Sequence, residues 1–204
     1  MDGSGPTQPT FAELTQRLKH LDEEPIYLPQ RTLLVLCGVP GSGKSTFASR
    51  FIEQHGLPST TIVSSDHCRA LICDDDTNQQ VSRDAFDLFH YIIYKRMSLG
   101  RFIIADSTAL LSNARHRLLA QARNYSYATC LLVFTVDPAI CIQRDLDRHR
   151  IVGETIIRNL QFMLEQALRD IPGEEWQQVY RVEDTVSPST LFIHNEGHPP
   201  ISQP

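Results

Sequence analysis

The sequence predicts an α/β sandwich of three layers, in which helices cover a central, mainly parallel sheet of five strands. Three observations carry this expectation. Residues 33–37, LLVLC, form an unbroken apolar run that stops at Gly38, as a strand buried on both faces does. Apolar runs at 60–65, 101–106 and 128–136 alternate with stretches of helical periodicity, the order expected of parallel strands joined by crossover helices. Two of these runs end at an acidic residue, Asp66 and Asp106, where the carboxyl ends of strands open onto a ligand crevice.

The first run leads without a gap into Gly38-Val39-Pro40-Gly41-Ser42-Gly43-Lys44-Ser45-Thr46. This is the G-x-x-x-x-G-K-S pattern of a phosphate-binding loop, set between a strand and a helix start. Glycines let successive backbone N–H groups curl round a phosphate chain without a side chain in the way. The helix from Lys44 points its N-terminal dipole at the same anion. Lys44 is expected to bridge the β- and γ-phosphates of ATP, and Ser45 to ligate Mg²⁺. Thr46 completes the nucleotide-binding stretch and carries no catalytic role. The fold class is thus a P-loop NTPase sandwich, with ATP and Mg²⁺ as the implied cofactors.

A chain of 204 residues makes one domain with a full core, and 41% hydrophobic with 21% charged residues is ordinary for a globular protein. The net charge of −5 speaks against a dedicated nucleic-acid-binding surface, while permitting a local basic groove. No apolar run approaches the ~18–20 residues that span a membrane, and the N-terminus lacks the basic and apolar parts of a signal peptide. Five irregularly spaced cysteines suit reduced thiols in the cytoplasm. His67, Cys68 and Cys73 offer half a metal site without a second half, so they read as core or surface groups.

Residues 1–30 form an N-terminal tail and short helical extension, 31–185 the kinase domain and 186–204 a flexible, proline-containing tail. Phe11, Leu14, Leu18 and Leu21 at helical spacing predict an amphipathic helix, with Thr10 as N-cap and Glu13 as its capping-box partner. The helix after the P-loop runs over 44–54, and His55-Gly56-Leu57-Pro58 ends it. The strand at 60–65 leads to Asp66, with Arg69 three residues on. There Asp66 can take a proton from an attacking hydroxyl, or cap the helix that follows; the two readings are compatible. Asp74-Asp75-Asp76 belongs to a solvated loop.

A buried helix over 82–98 carries His90 as a packed neighbour, and Gly100 closes it. Asp106, at the end of the third strand, is the second metal-site element, reaching Mg²⁺ through water. A helix over 112–123 and a strand over 128–136 follow, and Asp137-Pro138 opens the next helix with proline in its first turn. Arg144, Arg148 and Arg150 then fall within RDLDRHR. Arg144 and Arg148 share one helical face. They form either an arginine-bearing helical lid over the phosphates or a surface helix paired with Asp145 and Asp147. A last helix over 153–170 and a strand over 176–182 complete the pattern.

GVPGSGKSTFA, IVSSDHCRALICDDD, AFDLFHYIIYKRMSLGR, IIADST and RDLDR together resemble the kinase module of bacterial polynucleotide kinase-phosphatase, over about residues 32–183. Ser65-Asp66-x-x-Arg69 discriminates most, because very many enzymes share the P-loop. The resemblance implies transfer of the ATP γ-phosphate to a 5′-hydroxyl end of RNA or DNA in nucleic-acid repair. It makes Asp66 the general base, Arg69 a contact to the acceptor's terminal nucleotide, and Arg144 and Arg148 lid residues on the phosphates. The family's Asp-x-Thr-Asn element reads Asp106-Ser107-Thr108-Ala109, so its Asn is missing. The phosphatase and ligase-like modules are also missing, which implies either a freestanding kinase or one member of a split repair system with separate phosphatase or ligase partners. A small-molecule kinase, a toxin that phosphorylates a nucleotide-sugar and a non-enzymatic ATP-binding switch share the same architecture. The last leaves Asp66 and the arginines without a task.

Overall fold

A computed structural model describes residues 9–22, 24–147, 151–184 and 188–194. Thr10 caps α1 (Phe11–Gln16), its hydroxyl accepting from the Glu13 N–H while the Glu13 carboxylate accepts from the Thr10 N–H, so the expected capping box is present. The helix is shorter than its periodicity implies. Residues Lys19–His20 instead form β1, paired with Tyr180 and Arg181 at the sheet edge. Leu14 and Leu21 consequently enter the cores on opposite sides of the sheet. The open edge of a strand offers backbone partners that one more helical turn would forgo.

Strand β2 (Ile26–Pro29) precedes β3 (Thr32–Cys37), the central strand. Helix α2 (Lys44–Gln54) follows, then β4 (Ile62–Ser64) and α3 (Ser65–Cys73). The chain continues through α4 (Ser82–Ser98), β5 (Ile103–Asp106), α5 (Ser112–Asn124) and β6 (Ala128–Phe134). Helices α6 (Pro138–Leu146) and α7 (Glu154–Asp170) lead to β7 (Gln178–Val182) and β8 (Leu191–His194).

Six strands lie in the order β1-β7-β6-β3-β5-β4, every pairing parallel. The sixth, beyond the five expected, is β1. The apolar run of β3 is explained by its neighbours, since β5 and β6 pair with it on both sides. Leu33, Val35 and Cys37 face a core closed by α4, α5 and α7, whereas Leu34 and Leu36 face Phe47 and Phe51 of α2. The chain leaves β3 toward β4 on one side, while β6 flanks it on the other, so a crevice opens at the carboxyl end of β3.

Residues 188–194, expected within a loose tail, form a tight turn and β8 instead. Strand β8 pairs in parallel with β2, and Tyr27 stacks on Phe192. Buried Ile26, Leu28 and Leu191 seat this small sheet on the α2 side, so segments far apart in the chain complete one core. Residues 195–204 lie outside the described residues. No helix among the described residues is long and apolar enough to cross a membrane.

Candidate active site

The loop after β3 is shaped by what presses on it. A Cβ on Gly41 would stand 2.3 Å from the Cys141 carbonyl oxygen of α6, and Gly41 has φ +82°, so only glycine fits. A Cβ on Gly38 would meet the Cβ of Phe134 at 2.9 Å. Gly43, by contrast, is the N-cap of α2 with φ +90° and open space where a Cβ would lie, on the side that faces the cleft. Val39 is buried in the core, and Ser42 is buried beside it. Lys44 is buried with Nζ donating to the Val39 carbonyl at 2.8 Å and reaching Ser42 Oγ at 3.4 Å, so the ammonium spans the loop. Thr46 is exposed on α2, outside the lining of the cleft.

A cleft of about 1000 Å³ opens beside Pro40, Gly43, Lys44 and Ser45. Asp106 ends β5 in register with Leu36 of β3 and Ser64 of β4, which brings its carboxylate to the P-loop helix. The Ser45 hydroxyl donates to Asp106 Oδ2 at 2.8 Å. A hydroxyl and a carboxylate this close form an oxygen donor set that suits Mg²⁺, which binds through few protein ligands and keeps most of its water. The residues present fit the metal that a P-loop nucleotide brings. Ser107 and Thr108 extend the same edge of the cleft.

Helix α3 supplies the next two groups. The Ser64 hydroxyl accepts from the His67 N–H, so Ser64 caps the helix and Asp66 stands in its first turn. The Asp66 side chain is 58% exposed at the cleft, while Arg69 beside it is only 4% exposed. Arg69 Nη1 donates to Asp66 Oδ1 at 2.5 Å and to the Asp76 carbonyl at 3.0 Å. Its Nε is buried and finds no partner among the described residues. Asp74 and Asp75 shape the turn after α3: Asp74 closes the helix in the left-handed region, and the Asp75 carboxylate accepts from the Thr77 N–H and hydroxyl.

The RDLDRHR segment divides. Arg144 forms an ion pair with Asp184, beyond the end of β7, and does not line the cleft. Arg148 and Arg150 lie outside the described residues. Asp145, read from sequence as a surface partner of the arginines, is 1% exposed. Its carboxylate accepts from the backbone N–H groups of Val152 and Gly153 at 2.9 and 2.8 Å. It therefore ties the end of α6 to the start of α7, whose first turns reach the cleft.

Sequence reasoning missed that far wall. Ile151, Val152, Ile156 and Leu160 line the cleft across from the P-loop, with Phe86 and Gln79 from the α4 end. Ile156 and Ile151 are more than half exposed there, which no periodicity distinguishes from core positions. His90, as expected, is a packed neighbour, with Nδ1 against Gln121 Oε1 at 3.1 Å.

A G-x-x-x-x-G-K-S loop at the carboxyl edge of a parallel sheet, its serine bonded to the aspartate that ends a neighbouring strand, defines a P-loop nucleotide-binding domain of the kinase fold. The chain belongs to the AAA domain family, which it matches over residues 33–167. A gluconokinase from Sinorhizobium meliloti shares the fold at TM-score 0.52 and 16% identity, over 79% of this chain and 87% of that one. A sugar kinase from Janibacter sp. does so at 0.54 and 16%, over 78% and 88%. Kti12 from Chaetomium thermophilum, solved with ADP-AlF3, does so at 0.53 and 19%, over 78% and 92%. At these identities the likeness is one of fold. No curated protein sequence matches the chain.

Proposed function

We propose that the chain is an ATP-dependent kinase that phosphorylates the 5′-hydroxyl of a nucleic-acid end. One observation carries the acceptor: a carboxylate, Asp66, stands at the cleft beside a buried guanidinium, Arg69, whose Nε has no partner among the described residues. A buried guanidinium with an unmatched donor suits an anion brought by the substrate. A nucleotide acceptor brings such a phosphate next to its 5′-hydroxyl. The apolar wall of Ile156, Leu160 and Phe86 suits the face of a base.

In this reading the P-loop N–H groups and Lys44 hold the phosphate chain, and Ser45 with Asp106 would hold Mg²⁺, which would offset the phosphate charge. Asp66 accepts the proton of the acceptor hydroxyl. The acceptor oxygen bonds to the γ-phosphorus as the bond to the β–γ bridging oxygen breaks, leaving ADP and the phosphate ester. Arg69 orients Asp66 through the 2.5 Å hydrogen bond and holds the acceptor phosphate.

The net charge of −5 favours a second reading, a small-molecule acceptor, since a polynucleotide meets repulsion from an acidic chain. The test is transfer from γ-labelled ATP to 5′-OH RNA, 5′-OH DNA, sugars, nucleosides and nucleoside 3′-phosphates, with Lys44→Ala as the inactive control. The proposal expects labelled 5′ ends and a preference for the 3′-phosphate over the bare nucleoside, lost in Arg69→Ala. Labelling of sugars alone, or no preference for the 3′-phosphate in wild type, overturns it in favour of a small-molecule kinase, and a preference that survives Arg69→Ala removes Arg69 from acceptor binding.

A further inference from the structure

The most deeply buried charged side chain among the described residues lies outside the cleft. Arg115, on α5, is 0% exposed. Its Nε donates to both carboxylate oxygens of Glu174, at 3.0 and 2.9 Å, and Nη2 donates to Oε1 at 2.7 Å. The remaining nitrogen, Nη1, donates to two backbone carbonyls, Ala109 at 2.9 Å and Leu110 at 2.8 Å. Glu174 is completed by the indole N–H of Trp176 at 2.8 Å. Burial raises the Glu174 pKa, but hydrogen bonds from Arg115 and Trp176 with the Arg115 charge outweigh it and hold the carboxyl below its ordinary value.

A buried ion pair adds little stability over an apolar pair of equal volume, so its presence needs another reason. The two carbonyls supply one. Ala109 has φ +47°, a left-handed conformation that disfavours any residue with a Cβ. Its carbonyl is gripped by Arg115 and also approached by the Cys37 thiol at 3.4 Å. The preceding carbonyl, of Thr108, accepts from the Gly38 N–H at 3.0 Å, where the P-loop begins. Only Ser107 and Thr108 separate this clamped backbone from Asp106, the carboxylate bound to Ser45.

We propose that Arg115 and Glu174 are positioning residues for the metal edge of the nucleotide site, holding the 106–110 loop in a strained path that sets Asp106 against Ser45. The inference rests on the nucleotide reading of the P-loop, not on the identity of the acceptor. The loop is held at three places: by the β5 ladder, by Gly38 and by Arg115. Release of the third lets Ala109 relax out of the left-handed region and draws Asp106 from its place. Metal affinity depends on such outer contacts, whose removal commonly weakens it about 10–100-fold.

The test compares wild type with Arg115→Lys and Glu174→Gln in two binding measurements with a fluorescent ADP analogue. One titrates the analogue in EDTA; the other titrates Mg²⁺ into the analogue complex. Far-ultraviolet circular dichroism and the melting temperature report whether each variant is folded. The expected result is Mg²⁺ affinity about tenfold weaker, with metal-free nucleotide affinity held within about twofold. A lowered melting temperature with unchanged Mg²⁺ affinity makes the pair a purely structural one and overturns the inference. Ala109→Gly occupies the left-handed region without penalty and removes no charge, so added to either ion-pair variant it is expected to raise the melting temperature and return Mg²⁺ affinity to within about threefold of wild type. A folded combined variant that still binds Mg²⁺ about tenfold more weakly than wild type overturns the inference. Wild type that binds no nucleotide under either condition overturns the reading of the P-loop itself.

Discussion

Arg69 donates to Asp66 from one helical turn further along α3, at 2.5 Å, and the same nitrogen holds the Asp76 carbonyl. One guanidinium therefore fixes both the carboxylate at the cleft and the chain that turns back after α3. Asp66 needs no capping role there, because Ser64 fills it.

Asp66→Asn keeps the size of the side chain and its bond to Arg69 through the amide oxygen, but cannot take a proton. Phosphate transfer is expected to fall by roughly 10²–10⁴-fold, the range for loss of a general base, with ATP affinity nearly unchanged. Steady-state kinetics beside an ATP-binding titration check this; a kcat near wild type removes Asp66 from the chemistry.

Gly41→Ala places a methyl 2.3 Å from the Cys141 carbonyl oxygen on a backbone at φ +82°. Neither the α6 backbone nor the loop can yield without displacing the other. A loss of roughly 2 kcal/mol or more in stability is expected, together with loss of nucleotide binding. Denaturant unfolding of the pair of proteins measures the first effect. Gly43→Ala should cost less stability, since space is open there and only the left-handed conformation opposes it.

His90 makes stability sensitive to mild acid. Burial lowers its pKa from the ordinary 6.5 and Arg117 acts the same way, while the Gln121 hydrogen bond and Asp87 oppose them. The folded imidazole thus stays neutral where the unfolded one takes up a proton. Between its ordinary and its lowered pKa the unfolded state binds more protons, so stability falls as pH drops below about 6.5. Melting temperatures from pH 7.5 to 5 should show this slope, and His90→Gln should flatten it. An identical slope in the variant would assign the effect to other groups.

Arg144 and Asp184 are both partly exposed, so their ion pair contributes only ~0–1 kcal/mol. With Arg144 held outside the cleft lining, Arg144→Ala is expected to keep kcat within about threefold, in line with so weak a pair. A fall of a hundredfold or more would mean that Arg144 leaves Asp184 to reach the transferring phosphate. Asp184→Ala, measured beside it, separates the two cases, because it frees Arg144 without removing it.

Much of the domain was legible along the chain. The helices over 44–54 and 82–98 and the P-loop between strand and helix follow from period, caps and glycine spacing, all properties of residues close in sequence. Asp106 could be placed at the same edge as the P-loop because strand ends in parallel sheets share one edge. The extension was harder. Leu18 and Leu21 continue the helical period of α1, yet the unpaired edge of β7 outcompetes that period and draws Lys19–His20 into the sheet. Residues 191–194 carry no signal of a partner at 26–29, far back along the chain.

What the sequence alone determined is the P-loop and the α/β sandwich, since each rests on contiguous residues and on the period of local structure. Only the tertiary structure decided that Asp145 is buried against the start of α7 and that Arg144 turns to Asp184. It also decided that Arg115 meets Glu174 across 59 residues, and that Ile156 and Leu160 wall a cleft instead of filling a core. The reason is physical. A charged or apolar side chain looks the same in sequence whether its neighbour is solvent, a distant carboxylate or a cleft, and only the packing of remote segments chooses among them.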